Sequence, residues 1–304
     1  MRSLSTRHML YAAVSLILTW ALALVYRDAL VSHVRSPLRP SEIETETAPS
    51  GILIKDKVAT ITDTLFTPHV IPLILHYRAV LGPSWPIVFF TSQATYDEHF
   101  SPNTTSPSTS AAWHRAVADG SIETRIVTPD FNLTTRQGVN MYLASPWLWE
   151  QLAPAKHVLV FQADAILCAN AHQTVDDFLG YDFIGAPLNK TRKIYNGGLS
   201  IRNRTMVLDI LNGERDWFTD SNTEGTEYGG HGEDVWMSIM MRGQDAHLPS
   251  IDEALKFAKE LKWHNKLPGH PAGYHKVHLL DPNSIPKIRE WCPEIDLCAP
   301  GQLE

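Results

Sequence analysis

The sequence predicts an α/β domain whose sheet carries helices on both faces, set behind an apolar N-terminal segment. The main observation is that short β-type apolar runs alternate along the chain with helical stretches. The composition agrees: 44% hydrophobic and 19% charged residues describe a globular chain, not a disordered one. At 304 residues the chain is also long enough to bury a full core without disulfide staples, and three cysteines are too few for a disulfide scaffold. A formal net charge of −7 argues against a nucleic-acid binder, which needs a clustered basic face.

Taken in order, Lys57 to Thr62 reads as a short strand. Pro68 to Leu81 reads as a helix with Thr67 as cap and Gly82 as stop, and Pro72 moves its start about a turn later. Pro86 to Phe90 is a buried strand, 101–110 a Ser/Thr/Pro/Asn loop, and Ile122 to Thr128 a third strand. Val139 to Leu152 reads as one Trp-rich helix, and His157 to Phe161 as the clearest strand of the chain. Thr174 with Asp177 caps a brief helix closed by Gly180, and Asp182 to Ile184 is a further strand. Ser250 with Glu253 reads as a capping box opening a helix that runs through Leu261.

The N-terminus speaks to the compartment. Met9 to Tyr26 is free of charge and almost wholly apolar. Eighteen residues at about 1.5 Å each reach roughly 27 Å, enough to cross a hydrocarbon core. We therefore expect a short cytoplasmic tail over 1–8, a signal anchor over 9–26, a stem over 27–51 and the folded α/β domain over 52–304. The alternative is a cleaved signal peptide with Ala21-Leu22-Ala23 as the small-residue site. Flanking arginines on both sides leave the positive-inside bias nearly flat. Sequons at Asn103, Asn132, Asn189 and Asn203 all follow the apolar run and favour a luminal body. The expectation is a single-pass type II protein of the Golgi or another secretory membrane.

Several segments could carry chemistry. The strand HVLVF runs into Gln162-Ala163-Asp164, and ligands of open α/β sheets bind beyond the carboxyl ends of strands. Asp164 there could hold a divalent cation, or could simply cap the turn. Asn196, Gly197 and Gly198 in YNGGLS could let backbone approach a ligand closely, or could form an Asn-Gly turn between strands. Glu233 and Asp234 could present a general base from a helix start, although carboxylates there are also favoured by the helix dipole. Of His270, His275 and His278, one could be a metal ligand. Cys292 and Cys298 could pair and leave Cys168 free, but three cysteines allow three pairings.

The succession FQAD, YNGGLSIR, GEDVW and GYHKVH resembles the GT-A-fold glycosyltransferases. Together with WCPEI it is similar, over Lys57 to Cys298, to a fungal family of luminal proteins carrying a domain of unknown function. The resemblance implies a GT-A-like, Rossmann-like mixed sheet that is mainly parallel. It implies a glycosyltransferase that moves a sugar from a nucleotide-sugar donor to a hydroxyl on a glycan, glycoprotein, lipid or small molecule. It also implies a divalent cation, Mn²⁺ or Mg²⁺. Asp164 and His275, or with less support His278, would hold the metal. Gln162, Asn196, Gly197 and Gly198 would line the donor. Asp234, in the Glu233-Asp234 element, would be the base. Gln162 stands where the metal motif has its first Asp, so one anionic ligand is missing. Two other functions compete. One is an inactive GT-A-like glycan-binding protein. The other is a metal-dependent hydrolase, disfavoured because no HExxH-type motif occurs.

Overall fold

The computed structural model describes residues 52–101, 110–261 and 269–298. All of these fall in one compact unit, Pro49–Glu304. The proposed anchor over 9–26 and the sequon at Asn103 lie outside the described residues. Among the described residues no helix is long and apolar enough to cross a membrane.

Six strands form the main sheet in the order β3-β2-β1-β4-β7-β6. They are β1 (Lys57–Thr62), β2 (Ile87–Thr91), β3 (Ile122–Ile126), β4 (His157–Phe161), β6 (Phe183–Pro187) and β7 (Tyr195–Asn203). The first four strands in that order pair in parallel, and β7 runs antiparallel between β4 and β6. The sheet is therefore mixed and mainly parallel, as expected. The apolar runs of β1, β2 and β4 are buried nearly throughout because both sheet faces are covered. Helix α1 (Val70–Leu81) begins two residues later than Pro68. Pro72 then falls in its first turn, where the missing N–H has no partner to lose. Tyr77 of α1 stacks on Phe161 with ring centroids 3.7 Å apart, anchoring the last residue of β4.

Two local expectations are corrected and two open alternatives are decided. The stretch 139–152 is two helices, α4 (Arg136–Leu143) and α5 (Pro146–Gln151), counted after α2 (Gln93–His99) and α3 (Ala111–Ala118). Pro146 cannot continue the first helix, and Ser145 caps the second by accepting from the Trp147 N–H. YNGG makes no turn; it lies within β7, ahead of α6 (Arg204–Leu211) and α7 (Trp217–Ser221). After α8 (Glu233–Gly243), the helix opened by Ser250 stops at Phe257 as α9 (Ile251–Phe257), and Ala258–Lys259 turns into strand β8. Finally, Cys168 pairs with Cys292 across 124 residues, and Cys298 is the buried free thiol.

A second, three-stranded sheet in the order β5-β9-β8 contains β5 (Ala165–Leu167) and β9 (Gly273–His275). Its strands are too short to show a period in sequence. It lies at the carboxyl end of β4 and is followed by α10 (Ile285–Trp291).

Candidate active site

Chain reversal after β4 builds one side of the site. Gln162 follows the last residue of β4, its N–H donates to the Gly198 carbonyl at 2.8 Å, and Asp164 leads into β5. β5 pairs antiparallel with β9 so that Ala165 faces His275. Residues separated by more than a hundred positions thus meet at one point. His275 Nε2 lies 3.3 Å from Asp164 Oδ1 and 3.1 Å from Gln162 Oε1. His278 Nδ1 is 3.6 Å from Asp164 Oδ2, on the exposed side. His270 is elsewhere, stacked on Trp291 at 4.1 Å.

The electrostatics favour positive charge here. Burial alone lowers the His275 pKa, but the hydrogen bonds and charges of Asp164 and Glu260 outweigh it and hold the imidazole above its ordinary value. Burial likewise raises Asp164, yet bonding to His275 and the nearby histidines bring its carboxyl below the usual value. One carboxylate, one imidazole nitrogen and one amide oxygen converging in a site that favours a cation fit a divalent ion whose remaining positions are filled by phosphate and water. Among the described residues no group of three His, Cys, Asp or Glu side chains forms a preformed metal cage.

β7 joins this side to the other. A β-carbon on Gly198 would lie 2.1 Å from His275 Nε2, and one on Gly197 would lie 2.4 Å from Arg202 Nη2. Neither position has room for a side chain. The Gly197 N–H donates to Asp234 Oδ2 at 3.1 Å, and the Val235 N–H donates to Asp234 Oδ1 at 2.8 Å. Asp234 is thereby fixed at the start of α8 while remaining partly exposed. Gly232 supplies no side-chain cap, and Asn140 of α4 takes that role by accepting from the Glu233 N–H at 2.8 Å.

The remaining predicted residues lie behind this surface. Glu233 is fully buried and ion-paired with the equally buried Arg202. That guanidinium also donates to Ser200 Oγ at 3.2 Å and packs over Phe183. Asn196 is buried, its side-chain oxygen accepting from the Gly198 N–H at 2.7 Å, so it supports the glycine pair from below. Glu260 and Asn140 are the positioning residues that sequence reasoning missed. Glu260 reads as the tail of a helix, and Asn140 acts across more than ninety residues.

Two openings flank the site. One lies at the carboxyl ends of β1 and β4 and includes Thr62, Asp63, Tyr142 and Gln162. Burial raises the Asp63 carboxyl, opposed by the Leu65 N–H and the charge of His69. The other is a cleft of about 350 Å³ before α8, lined by Arg136, Gln137, Asn140, His231 and Gly232 among others.

These features define a mixed α/β protein with a two-sided polar site at the carboxyl end of its parallel strands. The chain belongs to the family described as protein of unknown function (DUF5672), whose match covers residues 121–275. That match includes Asp164, the β7 glycines, Asp234, Glu260 and His275, and is shorter at both ends than the span Lys57 to Cys298. No match is found among curated proteins. Solved structures similar to the chain include mannosyltransferase PcManGT from Pyrobaculum calidifontis, in complex with GDP-Man and Mn²⁺. It is 14% identical, with 54% of this chain and 50% of that chain covered and a TM-score of 0.33. The apo glycosyltransferase GlyE of Streptococcus pneumoniae TIGR4 is 9% identical, with 73% and 54% covered and a TM-score of 0.45. An active-site mutant of LgtC is 13% identical, with 72% and 86% covered and a TM-score of 0.42. The chain thus spans about half the length of the first two.

Proposed function

We propose that the protein is a glycosyltransferase that moves a sugar from a nucleotide-sugar donor to a hydroxyl acceptor, assisted by Mn²⁺ or Mg²⁺. One observation carries the reading: Gly197 and Gly198, adjacent in β7, tie a carboxylate–imidazole pair on one side to a separate, fixed carboxylate on the other. Bond cleavage in a nucleotide sugar leaves negative charge on a diphosphate, while bond formation releases an acceptor proton. The site provides one group for each need.

Asp164 and His275 would hold the cation, whose chemistry is to stabilise the leaving diphosphate as a Lewis acid. The opening around Thr62, Asp63 and Tyr142 would take the nucleoside, and Gln162 would contact a ribose or a water. Asp234, oriented by two backbone N–H groups, would accept the proton of a hydroxyl arriving through the cleft beside Gly232. Glu233 would serve by holding Arg202 beneath Gly197. Acceptors of this class are glycans, glycoproteins, lipids or small molecules. The Cys168–Cys292 disulfide supports an oxidising compartment, and with it a type II protein of the Golgi or a related membrane, anchored through 9–26 with its catalytic domain luminal.

The test is a thermal-shift screen of nucleotide sugars with Mn²⁺, followed by assays of donor hydrolysis and transfer. A true donor at 100 times its Kd stabilises the chain by about 2.7 kcal/mol. If no nucleotide sugar stabilises or is turned over, the reading fails. Gln162 favours one second reading, a glycan-binding protein of the same fold without turnover. Donor binding without hydrolysis or transfer would select it.

A further inference from the structure

The second sheet brings one more acidic residue to the metal side. β8 runs parallel to β9 with Lys259 opposite Tyr274, so Glu260 and His275, the next residue along each line of pairing, end side by side. β5 runs antiparallel to β9 and delivers Asp164 to the same end. Glu260 is 1% exposed and its Oε2 lies 2.9 Å from His275 Nδ1. Its Oε1 has no hydrogen-bond partner among the described residues, and Lys276 Nζ stands 3.7 Å from Oε2. A buried carboxylate costs several kcal/mol unless it is paired and fully hydrogen-bonded. The ring N–H of His275 meets Oε2 and the lysine stands beyond hydrogen-bond distance, so the fold keeps a buried carboxylate with one oxygen unpartnered where an apolar residue would leave no such atom.

We propose that Glu260 is a positioning residue that supplies, through His275, the negative charge that Gln162 does not bring to the divalent-cation site. The inference rests on the metal assignment made above. By accepting from Nδ1–H, Glu260 turns Nε2 toward Asp164 Oδ1 and strengthens it as a donor, as a carboxylate behind a metal-binding imidazole does. Asp164 and Glu260 together carry two negative charges, matching a divalent ion. The second charge sits one residue further from the ion than in a two-aspartate site.

Mn²⁺ alone, titrated into the full chain and followed by the paramagnetic resonance of the free aqua ion, tests this without any activity measurement. Glu260→Gln keeps the volume and an oxygen that accepts from Nδ1–H, but removes the charge. Mn²⁺ affinity is expected to fall by about 10- to 100-fold with the melting temperature not lowered. Adding Gln162→Asp to that variant is expected to recover most of the loss. Unchanged Mn²⁺ binding in Glu260→Gln, or no recovery on adding Gln162→Asp, overturns the proposal. Should Glu260→Gln not fold, Glu260→Asp decides: it keeps the charge but draws the carboxylate back from Nδ1, so Mn²⁺ affinity is expected to fall in a folded chain, and wild-type affinity there overturns the proposal. Absence of Mn²⁺ uptake by the wild-type chain also overturns the inference, while donor stabilisation without metal would leave the transferase reading standing.

Discussion

Gly198 and His275 are packed so closely that a β-carbon on the glycine would lie 2.1 Å from the imidazole Nε2. The same atom would lie 2.4 Å from Gln162 Oε1. Gly198→Ala therefore has to push the ring or the amide out of place. Overpacking of this kind costs about 1–3 kcal/mol, which a domain of this size survives. The expected phenotype is a folded protein that has lost Mn²⁺ uptake. Circular dichroism with a Mn²⁺ titration reads both, and wild-type uptake in Gly198→Ala would show that the metal is held elsewhere.

Glu233 should behave as a structural group. Its partner Arg202 is wholly buried between Phe183 and Trp149, and removing Glu233 leaves that guanidinium without its counter-ion. Stripping one partner from a buried pair costs about 3–5 kcal/mol. In a domain of this size that lowers Tm by roughly 6–20 °C. A Glu233→Ala chain that melts like the wild type yet has lost turnover would instead return Glu233 to the chemistry.

The sequence shows the parallel half of the sheet far better than the site's second layer. Lys57–Thr62 and His157–Phe161 are found at their expected bounds, because strands buried on both faces leave unbroken apolar runs. Two- and three-residue strands leave no such trace, so β5, β8 and β9 are invisible in it, and with them the register that joins Asp164, Glu260 and His275. Family motifs name Asp164 and His275 without saying how they meet. Glu260 lies in no motif and follows a helical stretch, so only the turn from α9 into β8 shows which way it faces. The cysteine pairing is hidden for a similar reason, since Cys168 meets Cys292 through the packing of β5 against the C-terminal turns.

Glycan mapping checks the compartment. Asn132 is exposed, its side-chain oxygen bonded to Thr134 of the same sequon. Asn203 instead caps α6 and donates to Asp182 Oδ1 at 2.8 Å, so a glycan on its amide nitrogen would break that contact. Expressed in a secretory host, the protein should lose one glycosidase-sensitive gel shift in Asn132→Gln and none in Asn203→Gln. A pattern unchanged by glycosidase in the wild type would count against a luminal domain.

Asp164 and Asp234 are given different tasks, and separating them is the sharpest test of the site. Asp164→Ala removes the carboxylate facing His275 Nε2, so Mn²⁺-dependent donor binding should weaken and turnover should fall with it. Asp234→Asn keeps an oxygen for the Gly197 N–H and gives up only the bond from the Val235 N–H at a partly exposed position, about 1 kcal/mol, so the fold and donor binding should persist. What it loses is basicity, and kcat should drop by roughly 10² to 10⁴, the usual contribution of a general base. Calorimetry with the nucleotide donor and Mn²⁺, run beside a transfer assay, distinguishes the two. Full activity in Asp234→Asn would place the base on another residue or point to a retaining mechanism. Normal Mn²⁺-dependent donor binding in Asp164→Ala would remove Asp164 from the metal site, because no other carboxylate lies against His275 Nε2 among the described residues.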